Sequence, residues 1–252
     1  MKVAALELGV PVFEPLRLGP FAGELRALAP ELFVVASYGK ILPSAILSIP
    51  RLGALNVHPS VLPLYRGATP LQAQIRDLRA TTGVTIIVMD AGMDTGDIVL
   101  AQSSPLGARE TYGELEARLS LDGARLLEEA VALAQGGALP RRPQAGLASE
   151  REIEATLTRP LRAEDFSIDW RVPAPRVDAL VRSLAPRPLA RGTLDGVTCK
   201  IVATRPLESV GPPRPPGTVW RDRGLFVACG EGAVEIERLI PPNRPAMAGS
   251  AF

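Results

Sequence analysis

An amide and an imidazole stand two residues apart at the end of a predicted strand, in the run Gly53–Pro70. The segment Gly53–Val57 has the apolar character of a short strand and leads into His58, the single histidine of the chain. Because side chains alternate along a strand, Asn56 and His58 emerge on the same side. Ligands of open α/β sheets bind at the carboxyl ends of strands. A lone histidine is more often structural, but its pairing with Asn56 favours catalysis.

Three aspartates lie close together after a second predicted strand, Val84–Asp90. They are Asp90, Asp94 and Asp97, in a loop that contains glycines. A carboxylate beside a histidine stabilises the charged imidazole and orients the ring. The same loop could be a solvated turn or a magnesium or calcium site, although the EF-hand spacing is not met. The spacing alone favours the solvated turn.

Two segments together resemble the signature of the folate-dependent formyltransferases. The first is Asn56–Pro63 (NVHPSVLP) and the second is Met93–Asp97 (MDTGD). Asp94 follows His58 by 36 positions (94 − 58 = 36), which is the spacing of that family. Val61 stands where the family usually has leucine, which is a mild change.

Further segments resemble the branch of this family that formylates initiator methionyl-tRNA. These segments are Ala36–Pro43, Tyr65–Gln72 and Ile168–Trp170. The resemblance implies transfer of the formyl group of 10-formyltetrahydrofolate to the amino group of methionyl-initiator tRNA, for the initiation of translation. It implies two partners, the folate co-substrate and initiator methionyl-tRNA, and no metal.

The resemblance also assigns roles to residues of the two segments. Asn56 and protonated His58 would donate hydrogen bonds to the oxyanion that forms when the amine attacks the formyl carbon. Asp94 would hold the imidazole and assist proton movement. The folate pocket would be lined by four residues whose contribution is backbone shape: Ser60, Val61, Leu62 and Pro63.

Two other functions remain open. One is an amino-sugar N-formyltransferase of the same family, which shares the catalytic core. The other is a non-catalytic remnant that binds folate or RNA. Residues 163–252 carry 12 basic and 10 acidic side chains, a difference of +2 (12 − 10), which is a weak electrostatic footprint for RNA.

The pattern of apolar runs predicts two domains. In residues 1–140, strands alternate with helices, which is typical of an α/β domain, here Rossmann-like with a mainly parallel sheet. Residues 141–162 are polar and predict a linker, and residues 163–252 predict a small β-barrel that is OB-like. The predicted helices are Met1–Leu8, Phe21–Leu28, Pro70–Arg79, Thr111–Ala134 and Pro175–Leu184. The predicted strands are Val10–Phe13, Leu32–Ser37, Gly53–Val57, Val84–Asp90, Ile98–Ala101, Val197–Ala203, Thr218–Trp220, Leu225–Cys229 and Val234–Leu239.

Composition excludes several classes of protein. The chain has 28 basic and 27 acidic residues, so its charge does not require a polyanionic partner. Two cysteines are too few for a disulfide framework, and one histidine argues against a His/Cys zinc site. No apolar run approaches the ~20 residues that cross a membrane. We expect a cytoplasmic monomer. The resemblance further predicts that a central strand of the family sheet precedes Met1, which makes the catalytic domain partial.

Overall fold

The computed structural model describes residues 2–208 and 212–252, and within them the strands form two separate sheets. The first sheet contains four strands in the order β1-β2-β3-β4. They are β1 (Phe33–Val35), β2 (Ala54–His58), β3 (Thr81–Val88) and β4 (Ile98–Pro105). Strand β1 runs parallel to β2, whereas β2 with β3 and β3 with β4 are antiparallel.

The α/β class of the first domain is confirmed, but in the described residues the parallel arrangement holds only for β1 and β2. The connection from β3 to β4 has nine residues, 89–97. A parallel connection requires a crossover of about a dozen residues or more, so this short loop turns the chain back on itself. Strand β3 also runs antiparallel to β2, although α4 lies between them in the sequence.

The helices of the first domain differ greatly in length. They are α1 (Lys2–Glu7), α2 (Ala22–Ala27), α3 (Ser44–Leu47), α4 (Pro70–Arg76) and α5 (Tyr112–Gln135). The long α5 begins at a capping box, in which Thr111 and Glu114 bond each other's backbone N–H groups. Its apolar stripe, with Leu115 and Leu119 one turn apart, packs on Val84 of β3 and its neighbours in the core.

The second sheet is antiparallel and forms the smaller domain. Its strands are β5 (Ala190–Leu194), β6 (Val197–Leu207), β7 (Val219–Arg221), β8 (Leu225–Ala228), β9 (Ala233–Ile240) and β10 (Met247–Ala248). The order is β5-β6-β9-β8-β7, and β10 pairs with β9. Helix α7 (Ala174–Leu184) buries its apolar face in the core of this sheet. The small β-domain is confirmed. Among the described strands the sheet is open, because β5 and β7 at its ends do not pair with each other.

Residues 141–162 are tied to the first domain at two points. Arg142 forms two backbone hydrogen bonds with Ile98, and Thr158 pairs with Gly67. Between these points lies α6 (Glu150–Ala155), which begins at a capping box of Ser149 and Glu152. The polar composition of this stretch predicted a linker, whereas the structure shows a segment that packs along the first domain.

The expected strand Val10–Phe13 is wrong, because this segment is irregular. Pro11 has no N–H group to contribute to a sheet ladder.

Strand β1 lies at the edge of the first sheet, with a single strand neighbour among the described residues, and Val34 at its centre is 49% exposed. None of the described helices is long and apolar enough to cross a membrane.

Candidate active site

The imidazole of His58 is buried at the carboxyl end of β2, with 3% of the residue exposed. In the register of the sheet it lies opposite Thr85 of β3. Its Nε2 is 3.0 Å from the backbone oxygen of Tyr65. Because a carbonyl oxygen only accepts, Nε2 carries the proton of this hydrogen bond. The other ring nitrogen, Nδ1, is 3.6 Å from Oδ2 of Asp94.

Burial and charge act on His58 in opposite directions. Desolvation is the largest influence and lowers the pKa of the imidazole below its ordinary value of 6.5. The negative charge of Asp94 and the hydrogen bond to the Tyr65 carbonyl raise the pKa, and Arg66 lowers it, but burial prevails. The neutral ring therefore predominates at pH 7, with its proton on Nε2 and a lone pair on Nδ1 on the side of Asp94.

Asp94 is presented to His58 by a turn with unusual backbone geometry. Its φ is +55°, in the left-handed region that non-glycine residues rarely adopt. Oδ2 accepts a hydrogen bond of 2.8 Å from the backbone N–H of Gly67. This donor partly neutralises the carboxylate and fixes the oxygen that faces His58.

The other two aspartates of the loop have different partners. Asp90 accepts hydrogen bonds from the Thr95 hydroxyl at 2.7 and 2.9 Å and from the Gly92 N–H at 3.0 Å, which shapes the turn. The backbone oxygen of Asp97 accepts from Val88. The described residues contain no group of three or more His, Cys, Asp or Glu that could hold a metal ion. The loop thus places one carboxylate, that of Asp94, against the imidazole.

Asn56 shares the face of β2 with His58, because the two residues are separated by one position in the strand. The side chain is partly buried. Across the described parts of the chain, no protein group forms a hydrogen bond with its amide. The amide N–H groups are therefore available for a bound molecule.

The side chain of Thr85 in β3 holds the backbone of the loop Ser60–Pro63. The Thr85 hydroxyl donates to the backbone oxygen of Ser60 at 2.7 Å and accepts from the N–H of Leu62 at 3.1 Å. The fully buried hydroxyl of Ser60 donates to the carbonyl of Leu64 at 2.7 Å. These bonds use the polar groups of the loop for its own shape.

Within this loop the side chains differ sharply in exposure. Leu62 is buried against Ile87 and Ile98, and Pro63 is also buried. Val61, in contrast, is 38% exposed. Contact with a ligand at this loop would thus come from Val61 and from backbone atoms.

Several residues that build this site carried no signal in the sequence. Gln144 is 4% exposed, and its amide bonds both Arg66 and the Asp94 turn. Thr158 donates from its N–H and its hydroxyl to the carbonyl of Arg66, at 2.8 and 3.0 Å. Both lie in the polar stretch 141–162, where nothing in the spacing indicates burial.

A separate pocket of about 240 Å³ lies between α4 and residues 155–165. Its two arginines, Arg76 and Arg159, both bond Asp165, through the backbone oxygen and the carboxylate respectively. His58 and Asp94 do not line it. The pocket therefore borders the candidate site through Tyr65 without containing its reactive groups.

Two family matches cover most of the chain. The formyl transferase family matches residues 16–131, and the formyl transferase C-terminal domain matches residues 160–252. A methionyl-tRNA formyltransferase of Pseudomonas entomophila is 38% identical over 252 residues, which cover 99% of this chain and 79% of that protein. A methionyl-tRNA formyltransferase of Anaeromyxobacter dehalogenans is 43% identical, with 97% and 78% covered. The chain belongs to the formyl transferase family.

Solved structures share the fold at low identity. HypX from Aquifex aeolicus in complex with tetrahydrofolic acid has a TM-score of 0.61 and 19% identity, over 92% of this chain and 39% of that one. The N-formyltransferase from Helicobacter canadensis, in complex with folinic acid and dTDP-3-aminofucose, has a TM-score of 0.68 and 15% identity, over 92% and 80%. At these identities the likeness establishes the fold alone.

Proposed function

We propose that this chain transfers the formyl group of 10-formyltetrahydrofolate to the amino group of initiator methionyl-tRNA. The observation that carries the proposal is the pair of buried His58 and partly buried Asp94, with His58 on the strand face that also carries the unbonded amide of Asn56. The choice of substrates follows relatives named methionyl-tRNA formyltransferase, which are 38% and 43% identical over nearly the whole chain. In this proposal the protein acts in the cytoplasm as a monomer.

His58 acts as the base in the proposed reaction. The amine loses a proton as it attacks the formyl carbon, and the neutral imidazole accepts that proton at a ring nitrogen. Asp94 stabilises the imidazolium that results. The same proton then passes from His58 to the departing nitrogen of the folate, so that the ring ends the cycle neutral.

Asn56 acts on the negative charge that develops on the formyl oxygen. Its amide is a preorganised donor in a partly buried position, and such donors are worth about 3–4 kcal/mol to the barrier. His58 can act as base or as donor only if a ring nitrogen faces the substrate. In this structure Nε2 is bonded to Tyr65 and Nδ1 faces Asp94, so one of these contacts must open first.

The folate fits the loop Ser60–Pro63 in this proposal. Thr85 fixes the backbone of this loop, and Val61 is its exposed side chain. The exposed apolar side chain of Val61 suits contact with a flat heterocycle. When bound, the folate supplies the activated formyl group, and no metal takes part.

The smaller domain offers one feature suited to RNA. The guanidinium of Arg214 lies 4.2 Å from the ring centre of Trp220, which stacks on Phe226 at 5.4 Å. Stacked aromatic rings with a nearby cation are typical of surfaces that bind single-stranded nucleic acid. We assign the tRNA to this domain on that basis and on the match to the family's C-terminal domain.

An amino sugar is the second candidate acceptor. It is favoured by the fold shared with sugar N-formyltransferases, of which the protein from Helicobacter canadensis is one example described with a dTDP-amino sugar. That likeness rests on 15% identity, against 38% and 43% for the relatives that act on methionyl-tRNA. The tRNA substrate is therefore the better supported.

The test is a formyl-transfer assay with two acceptors. The purified chain is incubated with 10-formyltetrahydrofolate and either initiator methionyl-tRNA or a dTDP-amino sugar, and formylated product is measured by mass spectrometry. Product from methionyl-tRNA alone supports the proposal. Product from the sugar alone overturns it in favour of the second candidate. A folded chain that binds folate but formylates neither acceptor is a non-catalytic remnant.

A further inference from the structure

We infer that Gln144 is a positioning residue that holds Asp94 against His58, an inference that rests on the proposed function. Gln144 lies outside the two segments that carry the family signature. It reaches the site from the stretch 141–162, and the residue is almost fully buried. Its amide lies between the loop that contains Arg66 and the turn that contains Asp94.

The amide nitrogen of Gln144 holds the backbone of the Asp94 turn. Nε2 donates to the carbonyl of Asp94 at 2.9 Å and to the carbonyl of Gly96 at 2.8 Å. These carbonyls lie on either side of Thr95. Because the left-handed conformation of Asp94 is unfavourable, it persists only where the surrounding structure enforces it. The two hydrogen bonds from Gln144 provide that restraint.

The amide oxygen of Gln144 holds the neighbouring loop. Oε1 accepts from Nε and Nη2 of Arg66, at 3.2 and 2.7 Å. The next residue, Gly67, donates its N–H to the carboxylate of Asp94. Hydrogen bonds thus link Gln144 to Arg66, Gly67 to Asp94, and Asp94 back to Gln144. The peptide bond between Arg66 and Gly67 closes this ring of contacts. Movement of any member displaces the oxygen that faces the imidazole.

The chemistry of the ring requires an amide at this position. A guanidinium only donates and a carbonyl only accepts, so position 144 must supply an acceptor and two donors at the same distance from the backbone. Glutamine supplies them with all four bonds made. Its place is fixed by Arg142, whose N–H and carbonyl bond Ile98 of β4 at 2.9 and 2.8 Å.

Two variants test the role of the Gln144 amide. Gln144→Met has similar length and removes all four hydrogen bonds. Gln144→Glu keeps an acceptor for Arg66 but sets a carboxylate against two carbonyls. We expect both to lower kcat by roughly 10- to 100-fold, because a displacement of about 1 Å in a catalytic group has effects of that order. The KM for each substrate should change by less than about twofold, since Gln144 is 4% exposed and its amide groups all bond protein atoms.

A double-variant cycle distinguishes positioning from general support of the fold. An Asp94→Ala background has no carboxylate for Gln144 to position. Gln144→Met should therefore not lower kcat further in that background. Thr204→Val, which removes a buried hydrogen bond in the smaller domain, serves as the control and should leave kcat unchanged. Unchanged kcat in Gln144→Met, or an equal loss with and without the Asp94 carboxylate, would overturn the inference.

A second measurement is independent of the reaction. His58 is the single histidine, so NMR of the untagged protein reports its titration without ambiguity. The groups that act on it are Asp94, the Tyr65 carbonyl and Arg66, and Asp94 has the largest of these effects. Release of Asp94 in Gln144→Met should move the pKa of His58 further down. An unchanged titration refutes the inference even if the proposed formyl acceptor proves wrong.

Discussion

The carboxylate oxygen of Asp94 that lies 3.6 Å from Nδ1 of His58 is the same oxygen that accepts the backbone N–H of Gly67. One atom thus faces the imidazole and is fixed by a donor from a different loop. The arrangement orients the carboxylate while leaving the imidazole free of a tight bond to it. A base that must release its proton again benefits from such a partner, because a stronger pair would hold the proton.

Asp94→Asn should lower kcat by roughly 10²- to 10⁴-fold, the usual range for a group in acid–base catalysis. The asparagine oxygen can still accept the Gly67 N–H, so the loop should keep its shape and only the charge is lost. The pKa of His58 should also fall, because Asp94 raises it in the native protein. Steady-state kinetics and an NMR titration measure both effects. Asp97→Asn, in the same loop, is the matched control, and equal losses in the two variants would contradict the assignment.

Asn56→Ala should lower kcat by roughly 10²- to 10³-fold through loss of one donor to the developing charge. Because its amide bonds no other group in the described parts of the chain, the free energy of unfolding should scarcely change. The titration of His58 should stay as in the native protein. Asn243→Ala in the smaller domain is the control for activity and should leave kcat unchanged. A variant with full activity would remove Asn56 from the mechanism.

Gly67→Ala should destabilise the protein and reduce activity together. Gly67 has a φ of +111°, and a Cβ there would overlap the carbonyl oxygen of Thr158. Backbone strain of this kind costs about 1–3 kcal/mol, and relief of the overlap would pull the Gly67 N–H away from Asp94. Chemical denaturation and kinetics test this prediction. Gly23→Ala, where a Cβ would meet nothing within 4 Å, should show neither effect.

Asp178→Ala should be among the most destabilising changes in the chain. The buried carboxylate accepts hydrogen bonds from Arg109 at 2.8 Å, Arg182 at 2.7 Å and the Thr204 hydroxyl at 2.9 Å. Its removal leaves Arg182 buried without its counter-charge, which costs about 3–5 kcal/mol. Denaturant unfolding measures the loss. Asp169→Ala, at an exposed pair with Arg171, should have little effect, and equal losses would contradict the role given to burial.

The sequence predicted the parts of this site that share one strand or one loop. The alternation of side chains places Asn56 beside His58, and the family spacing singles out Asp94. The sequence could not predict the roles of Gln144 and Thr158, because these roles depend on how residues 141–162 fold back onto β4 and Gly67. Such contacts are set by tertiary packing and leave no periodic trace in a polar segment. The same limit explains the incorrect strand at Val10–Phe13, since a strand requires a neighbour that local sequence does not specify.

The contribution of His58 to stability should decrease as the pH falls below its ordinary pKa of 6.5. Burial lowers the pKa of the folded protein, so the unfolded chain binds the proton first and is favoured on acidification. The contribution is complete above pH 6.5 and declines towards the folded pKa. The slope approaches about 1.4 kcal/mol per pH unit. The difference in free energy of unfolding between the native protein and His58→Asn, measured from pH 7.5 to pH 5, isolates this effect, since all other titrations are shared. A difference that grows on acidification would show that the fold raises the pKa of His58.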